Sequence, residues 1–278
     1  MSIKFNKMHG AGNDFVLLDL REQHYQMDSR RAGMISDRRL GVGCDQILVL
    51  QKPVRPENAA RYEIWNSDGS PALQCGNGAR CIGLYLEMKG ELNADLFTIE
   101  SPSGDIGMKR CTDGQFEVSM GVPDFTPSNV PLKLAPEAGL YHLESPWGQL
   151  EFGAVSMGNP HALVLIDDIA DSRIPESGAF ISGHDSFPEG CNAGFAQLDE
   201  RDRIHLRVYE RGAGETLSCG SGACAAVAIL RQWGRVDDVV DVLLPGGCLV
   251  IKWPGDNQPL KIKGPAVHVF TGKLSEGN

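Results

Sequence analysis

The sequence predicts an α+β chain of two pseudo-symmetric domains, each a curled mixed or antiparallel sheet around one central buried helix. Three observations carry that expectation: an internal repeat, strand-type alternation in each half, and one apolar helix per half that opens at a Cys-Gly-x-Gly turn. The segment C-G-N-G-A-R-C from Cys75 returns as C-G-S-G-A-C-A from Cys219, a shift of 144. Gly12-Asn13 returns as Gly158-Asn159 at a shift of 146, and Gly43-Cys44 as Gly190-Cys191 at 147. Landmarks in one order at nearly one offset are the signature of a duplicated unit. Two similar domains with a cleft between them are therefore expected.

Taken in chain order, Phe15–Leu20, Gln46–Leu50 and Arg61–Trp65 read as strands of the first half. In the second half, Ile204–Tyr209 alternates Ile, Leu and Val with His, Arg and Tyr, as a half-buried strand does. After each C-G-x-G the pattern changes: Ala79–Met88 and Ala223–Leu230 are apolar on almost every side and contain no proline. A helix without a polar face belongs in the middle of a domain. Pro123–Pro136, with four prolines, reads as the connector. The expected lobes are residues 1–120 and 121–264, and the last strand-like run, Val267–Phe270, brings 265–278 back to the first lobe.

With 278 residues, 42% hydrophobic and 22% charged, the composition is that of a globular protein and excludes disorder, collagen and coiled coil. A net charge of −10 argues against nucleic acid or an anionic membrane as partner, while one local site can still take a small anionic substrate. No apolar run approaches the roughly 18–20 residues that cross a bilayer. Met1–Gly10 does not read as a signal peptide. The eight cysteines lack the paired C-x-x-C spacing of a structural zinc site, so reduced thiols in the cytoplasm are expected, with no metal.

A cysteine capping a buried helix has a specific chemical opportunity. The first turn carries unpaired N–H groups and the positive end of the helix dipole, and the flanking glycines leave the backbone open to an anion. The same field lowers a thiol pKa, so Cys75 and Cys219 are expected to be reactive thiols. A single such cysteine is more often a packing residue; two at equivalent points of a repeat fit paired acid/base groups that invert a stereocentre. Helix dipoles aimed at a substrate carboxylate would then replace the electron sink of a pyridoxal cofactor, for which no site is found. A binding module that holds an amino acid, and a structural metal role for the cysteines, remain open on these residues alone.

The chain resembles the cofactor-independent diaminopimelate epimerases. The resembling segments are M-H-G-A-G-N-D-F at Met8–Phe15, G-V-G-C-D-Q at Gly41–Gln46, N-S-D-G at Asn66–Gly69 and Q-C-G-N-G-A-R-C at Gln74–Cys81. They continue with M-G-N-P-H at Met157–His161, P-E-G-C-N at Pro188–Asn192 and V-Y-E-R-G-A-G-E-T-L-S-C-G-S-G-A-C-A at Val208–Ala225. Proline-acting thiol racemases share C-G-x-G turns, but E-R-G-x-G-E-T is not expected before theirs. Pro71 departs from the family pattern, where an acidic residue is expected, and Cys44 and Cys191 fill variable positions.

The resemblance implies Cys75 and Cys219 as the two bases that move an α-proton, and His161 and Glu210 as groups that tune thiol protonation or orient the reacting centre. It implies that the N–H groups of Gly76, Asn77, Gly220 and Ser221 hold the α-carboxylate. Arg211, Asn66, Asn159 and Asn192 are placed at the ligand, Arg211 as a carboxylate fork, with Glu210 also in contact and Asn13 and Gln46 near the reacting end. Phe270 resembles a dimer-contact position, so a homodimer is expected; its alternative is a core residue. The remaining six cysteines, Cys44, Cys81, Cys111, Cys191, Cys224 and Cys248, read as packing residues. The activity implied is interconversion of LL- and meso-diaminopimelate without cofactor.

Overall fold

The computed structural model describes residues 2–137, 139–255 and 257–275. The chain divides into two compact units, Met1–Ser119 with Lys263–Asn278, and Met120–Ile262. Both are α+β, with mixed sheets and few helices.

The first unit opens with β1 (Ser2–Gly10), β2 (Asn13–Asp19), α1 (Ser29–Ser36) and β3 (Gln46–Gln51). It continues with β4 (Ala60–Asn66), the two-residue β5 (Pro71–Ala72) and α2 (Gly76–Met88). The meander β6 (Leu96–Ser101), β7 (Gly104–Arg110) and β8 (Phe116–Ser119) follows. Strands β2 and β3 are parallel, as are β4 and β6, while β1–β2, β3–β4, β6–β7 and β7–β8 are antiparallel.

The second unit repeats the scheme. It contains β9 (Tyr141–Ser145), β10 (Gly148–Ser156), β11 (Pro160–Leu165), α3 (Ile174–Ser182), β12 (Asn192–Glu200) and β13 (Arg203–Glu210). Then come β14 (Gly214–Thr216), α4 (Gly220–Gln232), β15 (Val239–Leu244) and β16 (Gly247–Lys252), while the short β17 (Lys261–Gly264) begins in this unit and ends in the first. The parallel pairs are β11–β12 and β13–β15. The registers correspond too: Phe15 lies opposite Gln46, and His161 opposite Asn192.

The last strand, β18 (Val267–Ser275), pairs antiparallel with β1 over its length. In the second unit the same place beside β10 is taken by β9, which precedes it in the chain. Phe5 lies opposite Gly272, where a Cβ would stand 2.4 Å from the ring, so only glycine admits the aromatic there.

Helices α2 and α4 are the cores. Helix α2 packs on β1, β2, β8 and β18, strands from both ends of its sheet, so the sheet curls around it. Helix α4 packs on β10 to β13 and on β16. Burial runs almost unbroken from Ala223 to Leu230 and from Gly76 to Gly83, which explains their lack of a polar stripe. The units make the close approach differently. On α2 the small residue is on the helix, with Gly83 against Phe116; in the other unit it is on the strand, with Gly153 of β10 against Ile229.

Two expectations require correction. Pro123–Pro136 is not a bare connector: it makes a short 3-10 turn at Pro127–Asn129, and Val130 and Leu132 enter the core of the second unit beside Tyr141 and Phe152. The prolines punctuate the segment, but Val130 and Leu132 fall on the core side, with Leu134 packed against it. Nor are all six remaining cysteines packing residues. Cys44, Cys81, Cys191 and Cys224 are buried, whereas Cys111 is half-buried beyond β7 and Cys248 is exposed on β16.

Candidate active site

Each unit gathers candidate residues at the head of its buried helix. In the first, Cys75 is the N-cap of α2, with extended backbone (φ −147°, ψ 111°). The Gly78 N–H donates to its Sγ at 3.4 Å, the sulfur standing in for the usual capping oxygen. Gly78 is small because a Cβ would come within 2.9 Å of Leu48.

The Cys75 thiol donates to Asn13 Oδ1 at 3.7 Å, and Asn77 Nδ2 donates to the same oxygen at 3.2 Å. The amide group of Asn13 donates in turn to Asp45 at 3.0 Å. Asp45 and Asp14 exchange backbone N–H bonds, and Arg38 bridges both carboxylates. Burial works to raise the Asp14 pKa, but hydrogen bonds from Arg38 and Lys7 overcome it and hold the carboxyl well below its usual range. Gln46 Nε2 donates to Asn66 Oδ1 at 2.9 Å across β3 and β4, and Asn66 Nδ2 donates to Ser70.

In the second unit Cys219 is the N-cap of α4 (φ −114°, ψ 108°), with Ser221 Oγ 3.6 Å from its sulfur. Here the expectation of an acidified thiol fails. Cys219 is 4% exposed, and burial pushes its pKa well above 9.0; the adjacent Glu210 carboxylate pushes it further. The Ser221 hydroxyl and the Gly222 N–H oppose the shift and do not overcome it. The desolvation that makes α4 a core helix outweighs the field of its first turn.

Glu210 is held by Thr216, whose hydroxyl donates to it at 2.5 Å across the β13–β14 hairpin. His161 is buried, and burial, with the Arg211 charge second, lowers its pKa to about 3, so the ring is neutral at physiological pH. Its Nε2 lies 3.1 Å from Asn159 Oδ1 and 3.5 Å from Asn192 Nδ2. The nitrogen can donate to the first or accept from the second, according to tautomer. Asn192 Oδ1 accepts the Arg211 N–H at 2.9 Å, and the Arg211 guanidinium donates to the Glu189 carbonyl at 2.6 Å.

The predicted residues thus fall into groups. Asn13, Cys75 and Asn77 form one constellation, and Gln46 bonds Asn66. Asn159, His161, Asn192 and Arg211 form a third, and Glu210, Cys219 and Ser221 a fourth. Gly76 and Gly220 open the two helices. Phe270 lies outside all of them, on β18, where it is 47% exposed and meets Phe5 edge-on; it is not a core residue. The reading of the residues missed Asp45, Thr216 and Arg80. All three stand inside the quoted segments, and only tertiary contact reveals which amide, carboxylate or carbonyl each holds. Among the described residues no group of three or more His, Cys, Asp or Glu is arranged to hold a metal ion, and no helix is long and apolar enough to cross a membrane.

Comparison with known proteins follows the same division. The family model for diaminopimelate epimerase matches residues 5–126 and 153–272, one stretch in each half. Diaminopimelate epimerase of Xanthomonas axonopodis pv. citri is 47% identical over 277 residues, covering 98% of this chain and 96% of that protein. The protein of the same name from Xylella fastidiosa is 45% identical, covering 97% and 95%. Among solved structures, a hydroxyproline epimerase from Agrobacterium vitis aligns with a TM-score of 0.74 at 15% identity, covering 100% of this chain and 93% of its own. A PhzF-family phenazine biosynthesis protein from Bacillus anthracis aligns with a TM-score of 0.68 at 15% identity, covering 99% of both chains, and these two share the fold. With cysteine-headed helices in both halves and identity near one half along its whole length, the chain belongs to the diaminopimelate epimerase family.

Proposed function

We propose that this protein interconverts LL- and meso-2,6-diaminopimelate by moving the α-proton between two thiols, without pyridoxal or metal. One sulfur, as thiolate, takes the α-hydrogen; the other, as thiol, gives its hydrogen to the same carbon. The first ends as thiol and the second as thiolate, the form that acts on the opposite stereoisomer, and proton exchange with water restores the starting form. Family membership carries the reaction, and the capping position of Cys75 and Cys219 supports their roles as the pair.

The remaining roles follow from chemistry. Backbone N–H groups of Gly76, Asn77, Gly220 and Ser221 offer a carboxylate the unpaired donors of two helix starts, and steady the negative charge that builds as the α-proton leaves. Glu210, adjacent to Cys219, makes that thiol reluctant to ionise, and a neutral His161 adds no charge to oppose it. Arg211, now occupied by a backbone carbonyl, has a fork suited to the distal carboxylate, with Asn66, Asn159 and Asn192 as amide partners and Asn13 and Gln46 nearer the reacting end. A homodimer through β18, with Phe270 beside the exposed Val267 and Val269, and a cytoplasmic setting complete the reading.

The deciding experiment is NMR of LL-diaminopimelate with the enzyme in deuterated water. Deuterium entering the α-position together with meso product is the expected result. Binding without exchange, or exchange only with proline or hydroxyproline, would overturn the proposal. For the dimer, Phe270→Asp is expected to halve the mass seen by light scattering.

A further inference from the structure

The head of α2 contains one group with no role in the scheme above. Arg80, one turn into α2, is the largest fully buried side chain of the described residues, at 0% exposure. A guanidinium does not shed its charge on burial, and this one is satisfied by oxygen acceptors in several directions. Its Nη2 donates to Asn77 Oδ1 at 2.6 Å, Nη1 to the Gly76 carbonyl at 3.4 Å, and Nε to the Pro265 carbonyl at 3.3 Å. It therefore ties the start of α2 to the segment that leads into β18.

The consequence lies in amide orientation. An asparagine amide presents an oxygen on one side and an NH2 on the other, and either can be turned outward. Because Arg80 can only donate, it fixes Asn77 with its oxygen inward and its NH2 toward Asn13. Asn13 is then oriented from both ends: its oxygen receives Asn77, and its NH2 faces the Asp45 carboxylate. Beside the Gly78 N–H of its cap, the Cys75 sulfur thus meets the Asn13 oxygen, an acceptor that favours S–H over S−. The repeat counterpart of Arg80 is Cys224, and that of Asn77 is Ser221, so the head of α4 lacks this device.

We infer that Arg80 is a positioning residue that acts through Asn77 and Asn13 to keep a hydrogen-bond acceptor aimed at the Cys75 thiol. The inference takes Cys75 as one of the proton-moving thiols proposed above, but its test needs no substrate, so the two can fail separately. The probe is iodoacetamide at neutral pH on Cys219→Ala protein, with Cys75 alkylation followed by site-resolved mass spectrometry.

Arg80→Lys keeps the charge but cannot span the three acceptors, which frees Asn77 to turn. Cys75 alkylation is expected to quicken by about threefold, and Asn13→Ala to do the same. The combined variant should be no faster than either alone, since both act on one acceptor. Should Arg80→Lys fold poorly by thermal denaturation, Asn77→Ala removes the link while Arg80 stays, and the same acceleration is expected. Unchanged or slower alkylation in Arg80→Lys or Asn77→Ala, or a further acceleration when Arg80→Lys is added to Asn13→Ala, would overturn the inference. Turnover of diaminopimelate, measured in parallel on the variants with Cys219 intact, reports on the proposed function and not on this link.

Discussion

Helices α2 and α4 start from the same five-residue pattern, yet their capping thiols live in different surroundings. Cys75 is half-buried and lies in a chain of amides, with Asn13 accepting, Asn77 donating and the Arg80 cation behind them. Cys219 is buried, with a hydroxyl at Ser221 and a carboxylate at Glu210. Duplication preserved the backbone that makes a helix N-cap and let the side chains around each sulfur diverge. In the proposed scheme that divergence has a use, because each thiol would serve as acid to one stereoisomer and as base to the other.

The comparison breaks first at the sulfurs. Cys75→Ala and Cys219→Ala are each expected to lower kcat by at least about a thousandfold, with the fold intact by circular dichroism. Wild-type turnover in either variant removes the two-thiol scheme. Glu210→Gln tests the difference in surroundings: it deletes the charge that disfavours the Cys219 thiolate, so the pH midpoint of Cys219 alkylation should fall while turnover drops by about tenfold or more. An unmoved midpoint would show that burial alone sets that thiol.

His161 gives a pH prediction whose sign follows from linkage. Its folded pKa of about 3 lies below the unfolded value of 6.5, so the unfolded chain binds the extra proton. Stability from this group is complete above pH 6.5 and is lost as pH falls toward 3. His161→Phe, which copies its repeat counterpart Phe15, should flatten the acid limb of urea stability measured between those values. Cys219 acts at the other end. Its folded pKa is raised, so its contribution is present below 9.0 and fades as pH climbs beyond it.

The smallest effect concerns packing. Gly83→Ala places a methyl 2.8 Å from the Phe116 ring and should cost about 1–3 kcal/mol, read as a lower Tm. The corresponding position of α4 is Val227, buried without difficulty, because there the glycine is on the strand. A neutral Gly83→Ala would mean that the Phe116 ring has room to move.

The internal repeat, the strands around each half and the two apolar helices were legible in the chain because they depend on local spacing. A shift of 144 aligns the helix caps, and a helix apolar all round has only the interior to go to. The Pro123–Pro136 segment misled because proline reports local conformation and is silent about which side chains turn inward. The thiol at 219 misled for a related reason: a helix dipole is written in the local backbone, whereas desolvation depends on everything packed around the sulfur.

By itself, then, the sequence determined the duplication, through a repeated spacing, and the capped helices, through residues within a few positions of one another, and it named the candidate site residues. Only the tertiary structure decided which way each amide of the Asn13–Asn77 pair points, that Thr216 holds Glu210, and that a buried arginine stands behind Cys75. Some of those partners are tens of residues away, Asn13 from Asn77 and Pro265 from Arg80, and others lie in one turn or hairpin whose inward face only the packing selects. Such partners are chosen by folding as a whole, since a buried donor or acceptor must find its mate wherever the chain brings one.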